Sequence, residues 1–508
     1  MTDVAKAGGP VTPVPPLFSS GYKGVVLSFL LAAYTFNFID RTIIATIGPA
    51  IMADLKLSST QMGLLGGLYF ALLYTLLGIP IARLAERFNR VNIIAISLVV
   101  WSGFTALCGL ASNYLMLAAF RFGVGIGEAG CSPPAHSLIS DYYEPRKRAS
   151  ALSIYAFGIP LGTMFGAVAG GWLADNLGWR WAFIALGLPG IILAILFKMM
   201  VKEPPRGWSD VEARKEAGLP PEPVRPKPAF SLGEELRELL SVTKTLFTKW
   251  PVVNMVLGVT IASFGSYGSG QFVPQYFVGA FGLSLATVGL ITGLVGGFSS
   301  GIGTLLGGFI ADRMAKLSPA WYALTPAFGL LIATPIYIAA YLAPSWQWTA
   351  AILLIPGIFH YTYLGPTFGV VQNSVDTRRR ATATAILFFF LNLIALGGGP
   401  PFIGWVIDQL SQGAYAAPTM SGVLAPVMGL FAGAGEAARS FAADCPGGRA
   451  PEGAGAAAVE ACRTAWASGT RNGIIVAFLF YAWASVHYFL AAIGLAKHMR
   501  ERAAIQAA

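Results

Sequence analysis

Apolar residues run through this chain in long blocks, with none of the sustained alternation that marks half-buried strands. Twelve blocks stand out, at 24–48, 60–82, 91–111, 115–139, 150–174, 181–201, 251–280, 285–310, 320–343, 347–371, 381–407 and 472–496. A helix rises about 1.5 Å per residue, so roughly 20 apolar residues cross the hydrocarbon layer of a bilayer. Blocks of this length without period-two alternation set a barrel aside. The pattern predicts an all-α membrane protein of twelve transmembrane helices.

Composition agrees. Hydrophobic residues make up 55% and charged residues only 11%, against about 25% charged in ordinary soluble domains. The net charge of +10 raises the question of a nucleic-acid partner. Its distribution answers it. With both termini cytoplasmic, the segments on that side hold 26 of the 34 Lys and Arg. The opposite side holds only Lys56, Arg180, Arg439, Arg449, Arg463 and Arg471, while Arg41 and Arg121 lie within spans. This is the positive-inside bias, so the basic balance is topology and no nucleic acid is implied. Residues 1–20, with four prolines, read as a disordered tail without the apolar core and cleavage site of a signal peptide. Cys108 and Cys131 fall in spans and read as free thiols. Cys445 and Cys462 share the long outside loop 408–471, where an oxidising compartment permits a disulfide without requiring one.

The inside segment 202–250 is rich in Pro and charge, then becomes amphipathic in "SLGEELRELLSVTKTLF". There Leu232, Leu236, Leu239 and Leu240 recur at helical spacing behind a Ser231…Glu234 capping box. It divides six spans, 21–201, from six more, 251–496, followed by a cytoplasmic tail at 497–508. The two sets repeat each other. "ARLAERFNR" at 82–90 matches "GFIADRMAK" at 308–316, which sets Glu86-Arg87 against Asp312-Arg313. "DYYEPRKRASALS" ends at Ser153 and matches "DTRRRATATA", with Arg148 against Arg380. "GWLAD" at 171–175 matches "GWVID" at 404–408. Three matches at nearly one offset, each in the same place of its half, make the chain a duplicated six-helix unit.

Two parallel six-helix halves with an acidic-Arg turn after the second helix of each resemble the major facilitator superfamily. The resemblance covers nearly all of the chain outside the tails and the 408–471 loop. The first turn departs from the family pattern, with Ala82 and Glu86 where Gly and Asp are usual. Within the superfamily, "NFIDR" at 37–41, "RFGVGIGEAGCSPPA" at 121–135 and "DNLGWRWAF" at 175–183 resemble the Spinster branch, the sphingolipid and lysolipid transporter-like proteins. The resemblance implies two pseudo-symmetric six-helix bundles, a monomer, and secondary transport by alternating access. It also implies proton coupling at Asp40 and Glu128, with Arg41 and Arg121 holding anionic headgroups. Glu86, Arg87, Asp312 and Arg313 resemble latches that bridge helix ends on the inside.

The residues support parts of this independently. A charge near mid-span costs about 2.5–3.5 kcal/mol on the insertion scale, yet Asp40 and Arg41 stand side by side in the first span. Arg121, Gly125 and Glu128 fall at i, i+4 and i+7, on one face of the fourth span, with Gly125 leaving room for a helix or a ligand. Two acids and two arginines then balance in one half. A purely structural ion-pair cluster is the competing reading. A carboxylate beside a movable arginine has a proton affinity that depends on access state, as coupling requires, and the planar arginine fork suits phosphate or carboxylate. Asn37 precedes this cluster by one turn and joins the substrate-site candidates. The second half offers no acid or arginine at the equivalent places. It offers Tyr267 and Gln271, Tyr361 and Tyr363, and Phe390 and Asn392 from "LFFFLN". "SFGSYGSGQFVP" at 263–274 suits a bending gate. His360 reads as a hydrogen-bonded core residue.

No Gly-x-x-x-x-Gly-Lys-Ser/Thr loop is present, so an ATP-driven pump is set aside. No Cys/His cluster suggests a metal, and no cofactor is expected. The expectation is a proton-coupled transporter, not an enzyme, in the inner (cell) membrane of a bacterium. Its substrate would be an amphiphile, lysolipid-like or with an anionic headgroup, and its partners protons and the lipid bilayer. A multidrug or organic-anion facilitator is the alternative. A membrane-embedded lipid-modifying enzyme or a non-transporting sensor would be different in kind.

Overall fold

The computed structural model describes residues 18–209, 232–375, 379–416 and 440–507, and every regular element among them is helical. The first half contains α1 (Ser20–Thr46), α2 (Gly48–Leu55), α3 (Ser59–Gly66), α4 (Leu68–Arg87), α5 (Arg90–Cys108), α6 (Tyr114–Glu128), α7 (Ser132–Tyr142), α8 (Pro145–Ala156), α9 (Gly158–Leu177) and α10 (Trp179–Met200). The linker carries α11 (Leu232–Phe247). Then follow α12 (Trp250–Phe281), α13 (Leu285–Ala315), α14 (Trp321–Tyr341), α15 (Trp346–His360), α16 (Leu364–Asn373), α17 (Arg380–Phe389), α18 (Gly397–Ala416), α19 (Phe441–Asp444) and α20 (Ala456–Ala507).

Among the described residues, ten helical stretches are long and apolar enough to cross a membrane, and they coincide with ten of the twelve predicted blocks. The other two blocks, 115–139 and 347–371, are each built from shorter helices placed end to end. Proline explains both breaks. Ser132-Pro133-Pro134 opens α7, where missing N–H groups are tolerated, and stops the ladder that would continue α6. Pro366 offers no N–H to the carbonyl of Thr362, and residues Tyr361–Tyr363 form a 3₁₀ turn. A π-helical turn, Phe390–Leu396, joins α17 to α18 just before Pro400 and Pro401. By contrast α12 runs as one helix through Pro274. Irregular backbone in the second half falls instead at 361–363 and 390–396.

Other boundaries also move. Helix α20 starts at Ala456, well before the predicted 472, and α18 runs on past 407 to Ala416. The segment 408–471 is therefore part helix, with a disulfide joining Cys445 beside α19 to Cys462 on α20. On α11 the buried face is Val242 and Leu246, with Leu239 half-buried, whereas Leu240 is 62% exposed. Ser231 and the Glu234 side chain, the expected capping box, lie outside the described residues.

Small residues set the closest packing. Gly158, Gly162, Gly166 and Gly170 all face α1, and a Cβ on Gly162 would lie 2.4 Å from the Thr35 carbonyl oxygen. Helices α1, α5, α9 and α10 pack together in the first half, and α12, α14 and α18 pack around α20 in the second. The main seams between halves are α9 against α13 and α3 against α18. Overpacking costs about 1–3 kcal/mol where neighbours can yield, and a carbonyl on a neighbouring helix yields little. Gly162→Leu should lower the melting temperature of purified protein by several degrees and reduce monodisperse yield. Gly24→Ala, with nothing within 4 Å of its Cβ position, should leave both within error of wild type.

Candidate functional site

A cavity of about 610 Å³ lies between the halves, within the roughly 300–1,000 Å³ range of small-molecule sites. Its first-half wall carries Arg41 and Arg121 among Tyr34, Phe38, Phe70 and Tyr74. The break after α6 leaves Glu128 as that helix's last residue, facing α1. There the Arg41 Nε donates to Glu128 Oε2 over 2.8 Å, with the carboxylate side chain fully buried. The Arg41 guanidinium also lies 4.9 Å from the Phe70 ring centre and 4.7 Å from that of Tyr74. The Arg121 guanidinium approaches the same Phe70 ring at 5.3 Å. One aromatic ring thus serves both cations.

Arg121 is positioned by backbone. Helix α3 ends at Gly66, where terminal carbonyls lose their partners along the helix. The Leu65 carbonyl accepts from Arg121 Nε over 3.2 Å. Gly125, left open in sequence between helix and ligand, makes room for a helix: its Cβ would lie 2.5 Å from the Phe70 carbonyl of α4. Asp40 and Asn37 are buried behind the wall and do not line the cavity. Asp40 has Thr105, Glu128 and Arg121 around it, and its Oδ1 makes no hydrogen bond. Asn37 lies within hydrogen-bonding reach of Glu128. It contacts the acid and not the cavity.

The second-half wall is rich in hydroxyl and amide groups. Tyr267, Gln271, Tyr361, Tyr363 and Asn392 all line the cavity. Tyr363 shares a hydrogen bond with Ser263 at 3.1 Å. His360 is buried on the same wall, stacked on Tyr481 with ring centres 4.4 Å apart, and its Nδ1 lies 3.4 Å from the Tyr337 hydroxyl.

One aromatic assignment is corrected. Phe390 is not on the cavity wall; it packs against Phe247 of α11, ring centres 5.2 Å apart. Phe388 lines the cavity instead. Positions two apart on a helix point about 200° from each other, whereas Phe388 and Asn392, four apart, share a face. That spacing alone could have selected Phe388.

At the ends of α4 and α13, Asp312 accepts a hydrogen bond from the Tyr322 hydroxyl of its own half over 2.9 Å, and Arg87 and Arg313 are exposed. The Glu86 side chain lies outside the described residues. Arg90, which closes the "ARLAERFNR" stretch, is fully buried. It bonds Asp141 at 2.5 Å, Glu203 at 2.6 Å and Ser137 at 2.7 Å. Nothing in the local sequence pattern brings those three partners together.

Known proteins are similar to this chain in sequence and in fold. The family model described as Major Facilitator Superfamily matches residues 30–398. An MFS-type efflux pump of Mycolicibacterium smegmatis is 30% identical over 74% of this chain and 83% of its own. A hexuronate transporter of Bacillus subtilis is 27% identical over 77% of this chain and 90% of its own. A solved structure of a bacterial homolog to the human lysosomal transporter Spinster, inward-facing and unoccupied, superposes with TM-score 0.77 at 32% identity. It covers 95% of this chain and 99% of that one. The chain belongs to the major facilitator superfamily. It is an integral membrane transporter of Spinster-like type, not an enzyme.

The exchanged aromatic roles can be tested directly. Losing part of a buried Phe surface costs about 1 kcal/mol, roughly fivefold in affinity. Phe388→Ala should weaken binding of a cavity ligand by about that factor in calorimetric titration, while Phe390→Ala stays within twofold.

Proposed function

We propose that this protein is a proton-coupled secondary transporter that moves an amphiphile with an anionic or zwitterionic head by alternating access. The observation that carries the reading is the Arg41–Glu128 ion pair, whose acid is wholly buried while its arginine reaches the cavity. Protonation of Glu128 removes the charge that holds Arg41, and the guanidinium turns to a headgroup in the cavity. When the headgroup leaves, Glu128 releases its proton and takes Arg41 back. Asp40, with its Oδ1 unpartnered beside Thr105, is the second proton station. Arg121 supplies the fixed part of the head site, and the aromatic rings of both walls receive the apolar portion.

The moving bodies are the halves 21–201 and 251–496, which rock about the cavity as repeats of this kind do. Both termini face the cytoplasm of a bacterial cell, on the side where the basic residues collect. The protein works as a monomer. Glu86-Arg87 and Asp312-Arg313 act as inner latches that form when the cytoplasmic ends close, so Asp312 would then leave Tyr322.

A second reading has one observation of its own. The hydroxyl and amide groups of Ser263, Tyr363, Gln271 and Asn392 face a wall with two arginines, an arrangement that also suits a polyhydroxy carboxylate such as the hexuronates of the B. subtilis relative. Thermal-shift titration of purified protein with a lysophospholipid and with a hexuronate separates the two substrate classes.

Reconstituted vesicles test the coupling. Asp40→Asn and Glu128→Gln should each cut uptake driven by an imposed pH gradient more than tenfold, with folding intact by thermal melt and with Glu128→Gln retaining substrate exchange at equal pH. Full gradient-driven uptake in both variants would exclude these carboxylates as coupling groups. Loss of the arginine fork is worth about 1.4 kcal/mol, a factor of ten. Arg121→Lys should therefore raise the Kd of the headgroup-bearing substrate roughly tenfold; an unchanged Kd would leave Arg121 a structural partner of the acids.

A further inference from the structure

The repeated motif "GWLAD" and "GWVID" ends each time in an aspartate with no part in the cavity, and both aspartates reach across the seam between the halves. Asp175 lies near the end of α9. Its Oδ1 accepts from the backbone N–H of Leu285 over 3.1 Å and its Oδ2 from that of Ala286 over 2.7 Å. These are the first two residues of α13, in the other half. Asp408, on α18, does the same in reverse. Its Oδ1 accepts from the N–H of Ser59 over 2.8 Å, and its Oδ2 accepts from the N–H of Thr60 at 2.8 Å and the Thr60 hydroxyl at 2.7 Å. Ser59 and Thr60 open α3, in the first half.

The two contacts are the same contact made twice. Asp175 and Asp408 close matching motifs of the duplicated unit, and Ser59 and Leu285 each open the second span of a half. Each receiving helix has its own serine cap for a later N–H: Ser58 Oγ takes that of Gln61, and Ser284 Oγ takes that of Thr287. The local cap therefore leaves the first two N–H groups over, and the opposite half supplies a carboxylate for them. A carboxylate on backbone N–H groups is charge-assisted, and the positive end of a helix favours it further.

The backbones are built to let these acids reach. Gly171 and Gly404, one helical turn before each aspartate, have Cβ positions 2.2 Å from the Leu285 carbonyl and 2.3 Å from the Ser59 carbonyl. Any side chain there would push the halves apart. All of these groups lie at the end of the molecule remote from both termini, where α9 meets α13 and α3 meets α18. At the opposite end, the principal neighbours of α7 and α8 are first-half helices, and those of α16 and α17 belong to the linker and second half. This structure is closed at one end and parted at the other.

A cap supplied from within one half persists through any rocking motion. A cap supplied from the other half does not. When the outer ends separate, four backbone N–H groups and one hydroxyl exchange a carboxylate for water. We propose that Asp175 and Asp408 are a matched pair of outer latches that set the balance between inward-facing and outward-facing states. They are positioning residues for the transport cycle and touch neither substrate nor proton path. The inference rests on the alternating-access reading above, and on no part of its substrate or coupling assignments.

Spin labels at Ser112 and Gln347, exposed outer-end positions in opposite halves and outside the seam, report opening as a longer distance. Measured in lipid nanodiscs without substrate or pH gradient, Asp175→Asn and Asp408→Asn should each raise the long-distance fraction relative to the short one about three- to tenfold. The double variant should multiply the single effects, because the two contacts are separate and equivalent. Melting temperatures identify any variant that fails to fold, and Asp175→Glu and Asp408→Glu, which keep the charge, should return part of the closed population. Distributions equal to wild type in folded single and double variants would overturn the latch assignment. So would a double variant no more open than either single one. Addition of a cavity ligand to wild type is the separate arm: redistribution between two distances keeps alternating access whatever the variants do, and one invariant distance under all conditions removes that reading itself.

Discussion

Inside a bilayer no water is available to hydrogen-bond a stray N–H or C=O, and this constraint shapes the rest of the structure. Most of the chain meets it with unbroken helices. Irregular backbone is confined to a few places, and the breaks next to the cavity carry its chemistry. The break at Gly67 frees the Leu65 carbonyl for Arg121. The break after Glu128 presents that acid to Arg41. The 3₁₀ turn at 361–363 and the π-helical turn at 390–396 present Tyr361, Tyr363 and Asn392.

The same constraint governs the charges. Asp40, Arg41, Arg121 and Glu128 sum to zero when ionised, and each has either an opposite charge, a carbonyl or an aromatic face beside it. The Phe70 ring lies beside both guanidiniums. The halves thus share an architecture but divide the chemistry, with the ionic groups on one wall and neutral hydroxyl and amide groups on the other. An electrically uneven cavity inside an even scaffold is what a duplicated unit reaches when one copy keeps the charged residues.

The two ends of the molecule differ in a related way. The buried Arg90 network ties α5, α7 and the segment after α10 into one body at the end that carries both termini. At the end remote from the termini, Asp175 and Asp408 make polar contacts between the halves. Contacts within a half can be permanent. Contacts between halves are available to change with state, and here they use backbone donors that water can also satisfy, so no N–H group is left unpaired when they open.

Much was legible in the chain itself. Helix crossings are local, since roughly 20 apolar residues suffice to define one, and ten of twelve predicted blocks recur as long rods. Duplication was legible because the matching turns keep nearly one offset, and the charged cluster because buried charges are rare enough to stand out. The two blocks that broke did so at prolines visible in advance, but whether a proline kinks or interrupts a helix depends on which neighbours receive the freed carbonyls. The choice of Phe388 over Phe390 depended on helix phase relative to a cavity, and phase is set by packing against α11 and α12. Arg90 looked like any loop cation until tertiary folding brought it Asp141 and Glu203, both distant along the chain. Asp175 and Asp408 were plain as a repeat. Their exchange across the seam was not, because a sequence records which residues are equivalent and only the docking of the halves decides which of them meet.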